Sequence, residues 1–280
     1  MNKYLIWILF VVLSTSVAGQ EDSTKLNRWI PGGVVGINVS QVALDNWTAG
    51  GESSLAFGLL GNFTLMHQTK QWFFDNKLKL AYGRSKIGSD DFRNTDNEIF
   101  MDNLLSYNVG WEANPYVSNT LRTVIADGFD YSGETPVKIS GFWDPGYLNQ
   151  GIGMTYRHGE FISTRLGLGF KETFTSEFTH YSDDPETEEV EKFKFESGIE
   201  FVTKAKYAFT ETVGIESEVF LFAAFNELDV WDVRWDTTFM AKISDWFNFN
   251  INVLLVYDKS QSVKTQLKEA LQFGITYTLF

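Results

Sequence analysis

The stretch Val230–Phe239, VWDVRWDTTF, decides how the chain is to be interpreted. Tryptophan and valine alternate with Asp232, Arg234 and Asp236 along it. β-Branched and aromatic residues favour a strand, and successive side chains of a strand point to opposite faces. One face of this strand is therefore apolar and the other charged, so the charged face meets either bulk water or an enclosed polar interior.

The same period of two recurs through most of the chain after residue 30. In Phe247–Asp258 apolar residues alternate with asparagines, and in Phe193–Tyr207 they alternate with lysines and glutamates. These runs are longer than the strands of soluble proteins, which average about 5–6 residues. They are long enough to cross a bilayer, which takes about 9–11 tilted residues. We therefore favour a membrane-spanning sheet over the alternative, a soluble β-sandwich with one wet face.

The connections between the runs alternate in length. Such alternation is typical of outer-membrane barrels, in which short periplasmic turns alternate with longer outer loops. The sequence thus predicts an all-β fold, a transmembrane antiparallel up-and-down β-barrel of about twelve strands. The short connections are 67–71, 113–116, 158–160, 209–212 and 244–245, and the longer ones are 85–97, 130–146, 174–191 and 259–266. The predicted strands are 33–42, 53–66, 72–84, 98–111, 116–127, 147–157, 161–174, 193–207, 213–226, 230–243, 246–258 and 268–279.

The N-terminal segment predicts export. Lys3 precedes an apolar run at 4–13, which is followed by small residues at 17–19. This pattern is typical of a secretory signal peptide, and the run is shorter than the roughly 20 apolar residues of a membrane anchor. We therefore expect the mature chain in the outer membrane. The predicted division is a signal peptide at 1–19, a periplasmic segment at 20–32 and the barrel at 33–280.

Composition restricts the chemistry. The chain has no cysteine, which excludes thiolate metal sites, and its net charge of −13 makes nucleic acid a poor partner. Its three histidines, His67, His158 and His180, fall in predicted turns or loops. A Ser–His hydrolase would need both residue types together at the outer rim. We therefore expect no catalytic residues, no metal site and no cofactor.

Two stretches resemble known outer-membrane sequences. Asn38–Gly58 is similar to the opening element of a Bacteroidetes outer-membrane family known as domain of unknown function 3078. The resemblance implies a Gram-negative outer-membrane barrel and assigns no activity. The end of the chain, with Tyr277, Leu279 and Phe280, resembles the signal strand that the barrel-assembly machinery reads, so this machinery and outer-membrane lipid are the implied partners. The residues that match the family element are Ser40, Gln41, Val42, Asn46, Trp47, Gly50, Gly51 and Glu52.

Aromatic residues cluster near both ends of the predicted strands, as they do at the two membrane–water interfaces of outer-membrane barrels. The candidates are Trp72, Trp111 and Trp246 beside short turns, and Tyr82, Trp231 and Tyr257 near the opposite ends. Inward glycines such as Gly153 and Gly167 would leave space or permit tight curvature.

The inward face carries charges of both signs. A wet lumen lined by them would select solutes, whereas a paired network would plug the lumen and hold the register. Eight-stranded barrels are filled and barrels of 16–18 strands leave a channel, so about twelve strands fits either interior. We expect passive or gated passage of small polar solutes. The alternative is a structural or accessory barrel with a closed, ion-paired interior that binds a protein partner through its loops or outer wall. The lumen-lining candidates are Asp75, Lys77, Lys79, Asp102, Arg122, Arg157, Arg165, Lys171, Lys194, Glu196, Glu200, Lys204, Lys206, Glu216, Glu218, Asp232, Arg234, Asp236 and Lys242.

Overall fold

The computed structural model describes residues 26–45, 51–133, 135–159, 161–184, 186–259 and 261–279. The predicted signal peptide lies outside the described residues, as do Asn46, Trp47 and Gly50 of the family-like element and Phe280 of the assembly signal. Within the described ranges, no helix is both long and apolar enough to cross a bilayer.

The described residues form a closed antiparallel barrel of twelve strands with up-and-down order, which confirms the predicted fold class. A small hairpin, β6–β7, lies in the connection between β5 and β8. The strands are β1 (Trp29–Val42), β2 (Ser54–Gln68), β3 (Trp72–Ile87), β4 (Arg93–Tyr107), β5 (Ala113–Thr123), β6 (Gly128–Asp130), β7 (Val137–Ser140), β8 (Gly146–His158), β9 (Ile162–Phe174), β10 (Phe193–Ala208), β11 (Val213–Ala224), β12 (Asp232–Lys242), β13 (Phe247–Asp258) and β14 (Ser262–Thr278).

Strand ends differ from the predicted ones in several places. The predicted short connection 113–116 is wrong, because the chain turns at 108–112, where Gly110 has a φ of 82°, and β5 already begins at Ala113. β1 begins at Trp29, inside the predicted periplasmic segment. The predicted connections 85–97 and 259–266 are wrong, because the actual gaps between strands are only 88–92 and 259–261. The physical reason is that the hydrogen-bonded ladder continues beyond the apolar belt, where both faces are wet. The alternation of side chains therefore ends before the strand does.

The register sorts side chains into an inner and an outer set. Asp236 pairs with Glu218 of β11 and Leu254 of β13, and it contacts Lys79 from across the barrel. Trp235 points the other way and is 49% exposed. The outer wall is mainly apolar, with Ile152, Leu168 and Leu271 among its exposed residues. A closed ladder leaves few backbone groups without partners, which is what a sheet in hydrocarbon requires.

Two glycines mark a tight place in the wall between β8 and β9. Gly153 and Gly167 pair directly. A Cβ added to Gly153 would lie 2.2 Å from the carbonyl oxygen of Leu166, and one added to Gly167 would lie 2.2 Å from that of Ile152. The two backbones approach too closely for any other residue type, so these glycines permit the local shape of the wall.

The seam that closes the barrel is short. β1 pairs with β2 along its whole length, but it pairs with β14 only through Val34–Ile37 and Ile275–Thr278. Within the described residues, the rest of β14, Ser262–Gly274, has no ladder partner in β1. The contact between the first and last strands is thus the least extensive in the barrel.

Candidate functional site

The register places all of the predicted lumen candidates on the inward face. They do not form one cluster. They are distributed over successive levels between the short-turn end and the long-loop end, and most of them pair with a charge from another strand.

The level nearest the short turns is mostly apolar. Phe73, Leu104 and Tyr116 are buried against one another inside the barrel. The Arg157 guanidinium lies 3.4 Å from the centre of the Phe73 ring. This cluster fills part of the lumen with side chains, which is typical of small barrels rather than of wide pores.

Above it, Asp102 organises the most deeply buried charges. Arg165 Nη2 lies 3.1 Å from Asp102 Oδ1, and Lys204 Nζ lies 2.6 Å from Oδ2. The Thr120 hydroxyl donates to Oδ1 at 2.7 Å. The Asp102 side chain is 3% exposed and that of Arg165 6%. Charges this far from water are tolerated because each one has a partner.

The same level contains a second carboxylate, Glu200. Arg165 Nε lies 3.4 Å from Glu200 Oε1, and the Tyr116 hydroxyl donates to the same oxygen at 3.4 Å. Glu200 fits against the wall because Gly151 faces it: a Cβ on Gly151 would lie 2.7 Å from Glu200 Oε1. Lys204 also lies 3.8 Å from Glu218 Oε2, which extends the network to β11.

At the middle level, ion pairs connect opposite walls. Arg234 Nη2 on β12 lies 3.0 Å from Glu98 Oε1 on β4, which is six strand positions away around the barrel. Lys79 Nζ on β3 lies 3.3 Å from Asp236 Oδ2 and 3.7 Å from Glu98 Oε2. Arg234 also lies 3.5 Å from Asp236 Oδ2. These four side chains together span the full width of the lumen.

Near the outer-loop end, Lys171 joins three carboxylates. Its Nζ lies 2.6 Å from Asp232 Oδ2, 2.8 Å from Asp258 Oδ2 and 3.8 Å from Glu196 Oε2. Its side chain is 6% exposed. Lys194 Nζ lies 3.0 Å from Glu196 Oε1, and its side chain is 37% exposed.

The remaining candidates lie nearer the rims or beside these networks. Lys206 Nζ lies 2.7 Å from Glu216 Oε1, with both side chains exposed, and Lys242 pairs with Asp245 at 2.7 Å. Arg122 lies over the ring of Tyr147 at 4.5 Å. Asp75 and Lys77 face inward from β3, opposite Leu104 and Asp102 of β4 respectively.

Three interior carboxylates were missed by sequence reasoning: Glu98, Asp96 and Asp258. Lys268 Nζ of β14 lies 2.7 Å from Asp96 Oδ1. Glu98 lay at the start of a predicted strand and shares the phase of Asp102, so its position could have been deduced from alternation. Asp96 fell in the wrongly predicted loop 85–97, and Asp258 fell at the end of a predicted strand.

Two spaces remain between these networks. A small cavity of about 60 Å³ lies among Tyr147, Lys171, Asp232, Arg234 and Asp258. A more open vestibule of about 360 Å³ lies towards the outer loops. Its lining includes Asp96, Glu98, Arg122, Arg234 and Lys268. The two spaces share Arg122, Arg234, Val256 and Gln261 in their linings.

The candidate interface aromatics lie near the two ends of the barrel. On the short-turn side, Trp72 begins β3, and Trp111 and Trp246 lie in turns, with exposed fractions of 46%, 76% and 60%. On the other side, Trp231 directly precedes β12. Tyr82 and Tyr257 lie on outward positions of β3 and β13 towards the same end.

The two longest outer connections are tied together by Asp144. Its carboxylate accepts the backbone N–H of Ser176 at 2.9 Å and that of Glu177 at 2.7 Å. In the loop between β9 and β10, the Thr187 hydroxyl donates to Glu191 Oε1 at 2.6 Å, and this hydrogen bond lowers the pKa of Glu191. Among the described residues, no group of three or more His, Asp or Glu side chains is placed to hold a metal ion.

Family models match two parts of the chain. The model described as "Protein of unknown function (DUF3078)" matches residues 39–129, and the model described as "Protein of unknown function, DUF481" matches residues 143–279. No curated protein matches the chain.

Several solved barrels are distantly similar. The translocator domain of the autotransporter NalP from Neisseria meningitidis is 8% identical, with 89% of this chain and 87% of that chain covered and a TM-score of 0.37. An outer membrane channel from Pseudomonas putida F1 is 10% identical, with 90% and 95% covered and a TM-score of 0.38. The CymD monoaromatic hydrocarbon channel is 10% identical, with 91% and 88% covered and a TM-score of 0.33.

The resemblance of the early segment to the 3078 family is confirmed by the family model, and the expectation of a Bacteroidetes source stays a prediction. The chain is thus a closed twelve-stranded barrel that matches the DUF3078 family over residues 39–129 and the DUF481 family over residues 143–279.

Proposed function

We propose that the protein is an outer-membrane barrel that passes small polar solutes through a lumen gated by its own ion pairs. The observation that carries the proposal is the contact of Glu98 with Arg234 at 3.0 Å, between strands on opposite sides of the barrel. Side chains that meet across the lumen block it in the described arrangement. Passage therefore needs these side chains to separate, and steric sieving plus the mixed charges would then select the solute.

A gate of this kind is physically reasonable at the middle level. The Glu98 and Arg234 side chains are 16% and 14% exposed, so water reaches them. A partly hydrated ion pair is worth far less than a fully buried one, because water can replace either partner when they separate. The vestibule on the outer side of Arg234 gives a solute space to approach the pair.

Planar-bilayer conductance tests the proposal. We expect low conductance for the wild-type chain and a higher open fraction for the variant Glu98→Gln/Arg234→Gln, in which the charges across the lumen are removed. The matched control is Lys206→Gln/Glu216→Gln, which removes an exposed rim pair and should leave conductance at the wild-type level. An increase in the control equal to that in the test variant would contradict gating by Glu98 and Arg234.

A structural or accessory barrel is the second candidate, and the burial of Asp102, Arg165 and Glu200 favours it. These charges are too deeply buried to separate at low cost. If this candidate is correct, folded protein will be silent in bilayers for the wild type and for both double variants, and Glu98→Gln/Arg234→Gln will change only the melting temperature. Before conductance is measured, a shift in gel mobility between unheated and heated samples verifies that each variant is folded.

A further inference from the structure

A diagonal row of uncharged amides crosses the outer wall. Asn76 of β3, Asn103 of β4, Asn119 of β5 and Gln150 of β8 are direct cross-strand neighbours, one after another, on four adjacent strands. We call these four residues the amide row. Asn76 Nδ2 donates to Asn103 Oδ1 at 2.6 Å.

The amide row faces outward. Asn119 lies between Ser118 and Thr120, which are buried inside the barrel, and shares its face with Val117, which is 49% exposed. Asn103 likewise alternates with the buried residues Asp102 and Leu104. The amides are therefore on the wall that the barrel turns towards the membrane.

Each amide of the row is flanked by apolar outward positions along its own strand. The outward neighbours are Phe74 and Leu78 on β3, Leu105 and Met101 on β4, Val117 and Leu121 on β5, and Ile152 and Leu148 on β8. The diametrically opposite strand, β13, carries Phe249, Ile251, Val253 and Leu255 at its outward positions. The amide row is thus embedded in the apolar belt and confined to one side of the barrel.

An amide has two N–H donors and one carbonyl acceptor. The hydrogen bond between Asn76 and Asn103 satisfies one donor and one acceptor, and Gln150 Nε2 reaches Glu172 Oε1 at 3.4 Å near the outer end. Lipid acyl chains offer no partner for the remaining groups, and polar groups in hydrocarbon without partners are costly. Polar side chains on membrane-spanning elements accordingly favour association through hydrogen bonds.

We propose that the amide row is the interface through which two copies of this chain associate side by side in the membrane. The chemistry of the amide row favours a second copy of this chain as the binding partner. Amides donate and accept, so a row related to itself by a two-fold axis offers matching groups. The four residues carry no charge, so two rows do not repel each other and have no attraction for a charged partner.

The first experiment replaces amides with apolar residues of similar size. The full-length protein is purified in mild detergent, and its mass is measured by native mass spectrometry at fixed ratios of protein to detergent. We expect a dimer for the wild type. For Asn103→Leu/Asn119→Leu we expect a dimer dissociation constant about ten-fold higher, because single hydrogen bonds in membranes are of modest strength. The matched control is Thr237→Val, which removes an outward hydroxyl on β12 that contacts Ser217 at 2.8 Å, and it should leave the dimer intact.

The second experiment keeps the amides and uses the absence of native cysteine. We expect Val117→Cys, beside the amide row, to give disulfide-linked dimers on mild oxidation in membranes, and Ile251→Cys, on the opposite wall, to give none. A wild-type chain that is monomeric in both detergent and membranes overturns the proposal. So does a dimer that is unaffected in Asn103→Leu/Asn119→Leu, one that crosslinks through Ile251→Cys, or a complex in which the second component is a different protein.

Discussion

Glu98 and Arg234 meet at 3.0 Å although their strands, β4 and β12, lie on opposite sides of the barrel. An ion pair between neighbouring strands would only support the wall. One between opposite walls occupies the lumen, and Glu98 and Arg234 lie across its middle level together with Lys79 and Asp236. Strand number alone does not decide whether the lumen is open, because a barrel of twelve strands can be filled or hollow.

The Asp102 network should be the most sensitive part of the interior. We expect Arg165→Met to lower the free energy of unfolding by about 3–5 kcal/mol, because it leaves Asp102 and Glu200 buried without their shared cation. The control Lys206→Met removes one member of an exposed pair and should cost less than about 1 kcal/mol. Urea unfolding in lipid vesicles measures both. Equal losses for the two variants would mean that burial does not govern the strength of these pairs.

The wall between β8 and β9 should not accept a side chain at Gly167. A Cβ there would lie 2.2 Å from the Ile152 carbonyl oxygen, so the two backbones must separate. We expect Gly167→Ala to destabilise the barrel by about 1–3 kcal/mol. Gly133→Ala is the control, because its nearest atom would be an ordinary 3.7 Å away. A Gly167→Ala melting temperature equal to that of the control would show that the wall relaxes without cost.

The short seam between β1 and β14 should be strengthened by a disulfide. Ile37 and Ile275 are direct cross-strand partners and form the last pair of this ladder. The variant Ile37→Cys/Ile275→Cys closes a loop that includes most of the chain, and for such loops the chain-entropy account gives about 5–6 kcal/mol. We expect the oxidised form to melt at a higher temperature than the reduced form. If oxidation lowers the melting temperature, the geometry of the seam is strained by the crosslink.

The outer loop between β9 and β10 should loosen in acid. The hydrogen bond from Thr187 lowers the folded-state pKa of Glu191 below its usual value of 4.5. The carboxylate therefore stabilises the loop above that pH, and the contribution is lost as the pH falls through the folded-state pKa. We expect faster hydrogen exchange in the loop at about pH 3 than at about pH 6, after correction for intrinsic rates. Thr187→Val should remove this difference in exchange between the two pH values. If the difference persists in the variant, the titration of another group causes it.

The sequence by itself determined the class of fold and the inward orientation of the predicted lumen candidates. In Val230–Phe239 the period of two separates Trp235 from Asp236 without any tertiary information, because alternation is a property of the strand backbone. Run length then distinguished membrane-spanning strands from ordinary ones. The same reasoning failed at 85–97 and 259–266, where the ladder continues through residues that are polar on both faces.

The tertiary structure decided which inward charges meet and which outward amides adjoin. Alternation assigns a face to a residue but no height along the barrel and no partner across it. Those depend on the register between strands and on the closure of the sheet, which brings Glu98 to Arg234 and aligns Asn76, Asn103, Asn119 and Gln150. The physical reason is that register depends on turn type and loop length as well as on alternation within a strand, and contacts across the lumen depend in addition on the closure of the sheet.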